Sequence, residues 1–251
     1  KAIFGGDKPP VLFLGNTQAQ IIGTLLVIIF CYLGSVLPIW SYAQPINYVS
    51  FWIVTIGMLG GLIGLLIKRP GMGDFPIFTQ YTTASGPLWP ILFVTIACGA
   101  VSGWHSLVST SGTARQLEKE TDALPVGGGA MFLEMAFAVI AFLTATVAFG
   151  SFKGYQDAGG AAKALAVFSG GLANFLNIIK VPKEFGMAYG SVFLTIMALT
   201  IMQLVVRFMR VASSELVGPK APVMKNIHVG TIIALILTLL FVWIIPWLTI
   251  W

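Results

Sequence analysis

The residues best able to do chemistry crowd into one tract. Residues 99–113 read GAVSGWHSLVSTSGT, and nine of these 15 are Gly, Ser or Thr. Glycine lowers helix propensity and lets backbones approach closely, while Ser and Thr hydroxyls can replace lost backbone hydrogen bonds. Such a composition at the end of an apolar run predicts a helix that breaks between Gly99 and His105. A broken helix exposes amides and carbonyls at the depth where transporters bind solutes. The bland alternative is a tight crossing of two helices through small residues. Within the tract, Ser102, Ser106 and Ser109 offer hydroxyls, and Gly99 and Gly103 offer backbone amides. His105 is a titratable group in an apolar setting, either a proton or anion contact or a hydrogen-bonded packing residue. Glu134 is the one acid inside an apolar run. It either sits near a helix N-terminus, where the dipole favours a carboxylate, or accepts protons or latches a loop.

Other chemistries find little support. There are two histidines, His105 and His228, and two cysteines, Cys31 and Cys98, without metal-ligand spacing. The glycines at 127–129 are followed by no Lys-Ser/Thr, so they are no phosphate loop. No triad or paired-carboxylate arrangement is visible. The sequence therefore reads as no enzyme, with no cofactor and no resident metal.

The elements that must position these residues are membrane helices. The 251 residues are 57% hydrophobic and 9% charged, with mean hydropathy +0.91. Soluble domains carry about 25% charged residues. A span needs about 20 apolar residues. Residues 18–37, 48–67, 130–149, 186–206 and 230–251 qualify, and 89–105 is a shorter sixth run. Of 14 basic and 9 acidic residues, Glu134 alone falls in these runs. Trp40, Trp52, Trp89 and Trp247 lie near their ends, where indoles suit the interface. The fold class is thus an all-α, multi-pass membrane bundle. The net charge of +5 reflects loop orientation rather than nucleic-acid binding.

Residues 161–179 are ambiguous. Leu165, Phe168, Leu172, Leu176 and Ile179 fall on one helical stripe, and Lys163, Gly170, Asn174 and Asn177 on another. A two-faced helix lies in the interface or re-enters more often than it spans. Six spans are therefore expected, with 161–179 interfacial, re-entrant or a seventh. The positive-inside rule pulls the other way. Seven spans place ten Lys/Arg inside and four outside, whereas six give six and eight.

Residues 93–134 carry a resemblance. They read FVTIACGAVSGWHSLVSTSGTARQLEKETDALPVGGGAMFLE. This resembles the central signature of the carbon starvation protein A family, an IACGA-(I/V)-SG-(F/W)-HSLVS core. A GT element, a Q-L-x-x-E-x-D-A loop and a Gly-rich helix entry follow it. Residues 96–105, Gly112, Thr113, Gln116, Leu117, Glu120, Asp122, Ala123 and Gly127 match. Leu37, Pro38 and Trp40 with Gln44 and Pro45 resemble the family's upstream L-P-x-W…Q-P element.

The resemblance implies a multi-pass transporter of the prokaryotic cytoplasmic membrane, for pyruvate or small peptides. It implies a LeuT-like inverted-repeat architecture with residues 93–108 as the broken helix. Lipid and a small solute are its partners. Family members are longer, so the N-terminal half of the core is missing by this comparison: it is a separate chain, disordered or absent, and other membrane subunits or a chain supplying that half are the further partners the resemblance allows. Two elements depart from the family. Q-P-R-D is here Gln44, Pro45, Ile46, Asn47. A late A-L-T-T-L-D-T-A-T-R run is here ALTIMQLVVR, residues 198–207, keeping Thr200 and placing Gln203 where the acid stands. Thr200 and Gln203 are the matching positions for coupling or gating, with Glu134. Gln keeps hydrogen bonding but cannot titrate. The expected function is secondary transport by alternating access around residues 99–109. The alternative is a non-transporting assembly subunit of a membrane complex.

Overall fold

The computed structural model describes residues 11–13, 16–71, 73–83, 86–101 and 103–244. Helices dominate: α1 Gln18–Val36, α2 Ala43–Lys68, α3 Leu88–Val101, α4 Gly103–Ser111, α5 Ala123–Ala145, α6 Phe152–Asp157, α7 Ala164–Ile178, α8 Lys183–Val217 and α9 Ile227–Ile244. Two minimal antiparallel strand pairs, Val11–Phe13 with Asn16–Thr17 and Thr82–Thr83 with Gly86–Pro87, precede α1 and α3. Trp89 takes an extended conformation inside α3 because Pro90 follows it.

Three helices are long and apolar enough to cross a bilayer: Ala43–Lys68, Glu120–Phe149 and Lys183–Val217. Ile21–Val36, Ala164–Ile178 and Ile227–Leu240 are apolar but shorter. The expected runs 48–67, 130–149 and 186–206 fall within the three long helices. Run 18–37 falls on α1. Run 89–105 is divided between α3 and α4, and the last part of run 230–251 lies outside the described residues.

Among the described residues, those up to 45 with 199–241 form one compact unit, and 46–198 with 242–244 another. The first unit packs α1, the second half of α8 and α9 around Cys31, Val206, Ala234 and Leu235. Polar ties accompany this core. Thr231 Oγ1 donates to its own helix at the Ile227 carbonyl, 2.7 Å away. The Ser35 hydroxyl, 3.0 Å from Thr231 Oγ1, is therefore the donor of that pair.

The second unit has its core at Met58, Phe168, Leu172, Leu176 and Phe193. Phe193 stacks on Phe137 with ring centroids 5.4 Å apart and lies 5.2 Å from Phe168. Close approach is the organising device. A Cβ at Gly171 would stand 2.0 Å from the Thr144 carbonyl oxygen, and one at Gly64 would stand 2.3 Å from that of Phe175. Only glycine admits such contacts between helix backbones.

These contacts also fix directions. Thr144 meets Gly171 and the Ala148 carbonyl meets Asn174, so α5 and α7 run parallel. Gly61 meets Leu172 and Gly64 meets Phe175, so α2 packs against α7 as well. Gly186 meets Ala173 and Gly190 meets Ser169, so α7 and α8 form an antiparallel hairpin. The chain therefore turns back between α5 and α7 before descending beside α5. α7 is also the most deeply packed helix of this unit, with Val167, Phe168, Ser169, Gly171, Leu172, Ala173, Phe175 and Leu176 buried. Of the stripe read from sequence, Phe168, Leu172 and Leu176 reach the core while Leu165 stays exposed. At 15 residues α7 is about 22 Å long, short of a hydrocarbon core of about 30 Å.

Candidate functional site

Two side chains singled out separately in the sequence stand together. His105 Nδ1 lies 2.6 Å from Glu134 Oε2. His105 is the third residue of α4 and Glu134 the twelfth of α5. The loop between these helices folds as two 3₁₀ turns, Thr113–Gln116 and Glu120–Asp122, which return the chain so that α5 lies beside α3 and α4. The imidazole is 54% exposed and the glutamate 22%. Glu134 Oε2 is buried and makes no other hydrogen bond among the described residues, so the imidazole is what faces it.

The position of Glu134 alters its reading. The apolar run begins at residue 130, which placed the carboxylate near a helix start. The helix instead begins at Ala123. Pro125 is tolerated there because the first turn needs no amide donor. Residues 127–129 are helical. Glu134 thus sits three turns inside α5, and the dipole's influence fades within the first turn. The neighbour that faces the carboxylate is His105.

The remaining residues of the tract distribute as follows. Gly99 lies within α3, where its amide belongs to the helical ladder, and Gly103 opens α4. The expected break between Gly99 and His105 includes Ser102, which lies outside the described residues. Ser106 and Ser109 follow His105 on α4. Ser109 Oγ donates to the Ser106 carbonyl at 3.4 Å, Thr110 to Leu107 at 2.7 Å, and Ser111 to Val108 at 3.1 Å. These hydroxyls bond back to their own helix but keep acceptor lone pairs. Thr200 and Gln203 lie on the half of α8 that belongs to the other unit. Gln203 is fully buried, against Gly34 of α1.

Sequence reasoning missed the surroundings of Gln203. One turn further along α8, Arg207 is 6% exposed and donates to the Gly34 and Leu37 carbonyls. A signal was present: Arg207 directly follows an apolar run, and its helix continues to Val217. His228 is held by the Tyr32 hydroxyl, with Nδ1 2.7 Å from the oxygen. Among the described residues no three His, Cys, Asp or Glu side chains gather as a metal site would need.

The contact brings an imidazole and a carboxylate together on two apolar helices. The fold defines a multi-pass helical membrane protein. The sequence profile described as carbon starvation protein CstA matches residues 11–155 and 151–250. The chain belongs to that family.

Relatives agree. The pyruvate/proton symporter BtsT of Escherichia coli strain K12 is 38% identical over 130 residues, 49% of this chain and 18% of that one. The peptide transporter CstA of the same organism is 35% identical over 129 residues, again 49% and 18%. The peptide transporter CstA of Bacillus subtilis strain 168 is 32% identical over 123 residues, 47% and 20%. The match thus spans about a fifth of the length of these relatives. No solved structure matches the chain.

Proposed function

We propose that this chain is part of a secondary transporter for a small organic solute, pyruvate or a short peptide, with His105 and Glu134 at its polar centre. The observation that carries the reading is the 2.6 Å contact between the imidazole and the one carboxylate inside an apolar run. A relative is named a pyruvate/proton symporter, and a paired imidazole and carboxylate are the chemistry such coupling needs. Gly99, Ser102, Gly103, Ser106 and Ser109 line the solute path in this reading. Thr200 and Gln203 act in coupling or gating.

The architecture in this reading is one part of a LeuT-like inverted repeat in a prokaryotic cytoplasmic membrane, moving by alternating access. Six segments cross the bilayer and α7 re-enters from one side. Parallel packing of α7 on α5, and its antiparallel hairpin with α8, support that count. The remainder of the core comes from further membrane segments of the same or another chain.

Uptake of labelled pyruvate and labelled dipeptides into vesicles bearing an inward proton gradient tests this. His105→Ala and Glu134→Gln are each expected to lower uptake at least tenfold, and Ser106→Ala severalfold. Uptake untouched by all three changes sinks the site assignment.

One observation favours a second reading, a non-transporting assembly subunit. Gln203 stands where the resembling family carries an acid, and it is wholly buried against Gly34. Copurification separates the two. Stoichiometric unrelated subunits, and no shift of the unfolding midpoint with any solute, favour the subunit.

A further inference from the structure

The end of α1 is built around a positive charge. An α-helix leaves its last carbonyls without amide donors, and together they carry about half a negative charge. In α1 the Leu33 carbonyl is satisfied by the Leu37 amide at 2.9 Å. The Gly34 carbonyl should receive the amide of residue 38, but that residue is Pro38, which has none. Arg207 fills the vacancy. Its Nε lies 3.1 Å from the Gly34 oxygen, its Nη2 donates to the same oxygen, and Nη2 also donates to the Leu37 oxygen. Ser41 and Tyr42 amides turn instead to the Pro38 carbonyl, leaving Leu37 to the guanidinium.

Two further features mark this as a site rather than a chance contact. The side chain is buried. No ion pair of Arg207 with a carboxylate is found among the described residues. Carbonyl dipoles therefore balance the charge. That is the donor set by which proteins bind monovalent cations at helix C-termini.

We propose that Pro38, Gly34 and Leu37 form a cation site with Arg207 as its tethered occupant, so that removing the side chain opens the site to a free guanidinium or alkali cation. The wild type needs no exchangeable cation here, because the resident one cannot leave.

The test reads stability, so it stands apart from any transport activity. The unfolding midpoint of the full chain is measured in nanodiscs for wild type and for Arg207→Ala, Arg207→Lys and Arg207→Gln. Each is scanned with millimolar methylguanidinium and with NaCl against choline chloride at equal ionic strength. Wild type should be flat in both scans. Arg207→Ala should lose about 5 to 10 °C, and regain at least half of it with methylguanidinium and part of it with Na⁺. Lys should fall between Arg and Gln, because it keeps charge with fewer donors. A loss that no cation restores, or Lys no better than Gln, overturns the proposal. If Arg207→Ala yields no folded protein, the comparison of Lys with Gln decides on the same criterion.

Discussion

At the scale of residues, steric room around glycine predicts opposite signs for one substitution at two positions. Gly171→Ala places a methyl group 2.0 Å from the Thr144 carbonyl oxygen, so α7 must move off α5. Overpacking of this kind costs about 1–3 kcal/mol. Gly127→Ala meets nothing within 4 Å and lies inside helical α5. Removing backbone freedom there stabilises by about 0.5–1 kcal/mol. Unfolding midpoints of the two variants should move in opposite directions; a lower midpoint for both would mean that the Gly127 face is covered. His105 and Glu134 were each legible as candidates, since one is the titratable residue of the hydroxyl-rich tract and the other the lone acid of the apolar runs. Their pairing was not legible. It depends on how the chain returns between α4 and α5, and no periodicity encodes that. Arg207 stayed hidden for a similar reason. A charge just past an apolar run reads as a loop flank, and nothing in the sequence links it to a proline 169 positions earlier.

At the scale of elements, α7 shows where pattern and packing part. Its apolar stripe of Phe168, Leu172 and Leu176 serves an interfacial helix and a buried one equally well. What decides is the small residues between them: Ser169, Gly171 and Ala173 let α5 and α8 close in from two sides. The long helices were easier to read. Their apolar runs lie inside Ala43–Lys68, Glu120–Phe149 and Lys183–Val217, but these helices begin before them, because capping and loop packing rather than hydropathy bound a helix. The direction of α7 carries a prediction. In a background without Cys31 and Cys98, single cysteines at Lys163 and Lys180 flank α7. A helix that re-enters leaves both open to an impermeant thiol reagent from one side of the membrane. Labelling from opposite sides would make α7 a crossing, and would restore the ten-to-four charge balance of a seven-span chain.

At the scale of the whole molecule, family membership and an apolar helical fold meet in a multi-pass membrane protein. Composition made the membrane legible at once, since charge excluded from long runs needs no tertiary information. The tract at 93–134 made the family legible, because its residues occur in an unbroken order. The solute was not legible, since selectivity depends on groups that converge only on folding. In the proposed function, solute entry is coupled to protons through His105 and Glu134. The most direct measurement follows external pH and labelled solute together in proteoliposomes, for wild type and Glu134→Gln. Wild type should alkalinise the medium as solute enters. Glu134→Gln should lose that signal and gradient-driven accumulation, yet keep solute exchange between equally loaded compartments. Proton-coupled accumulation by Glu134→Gln at the wild-type level would contradict the claim.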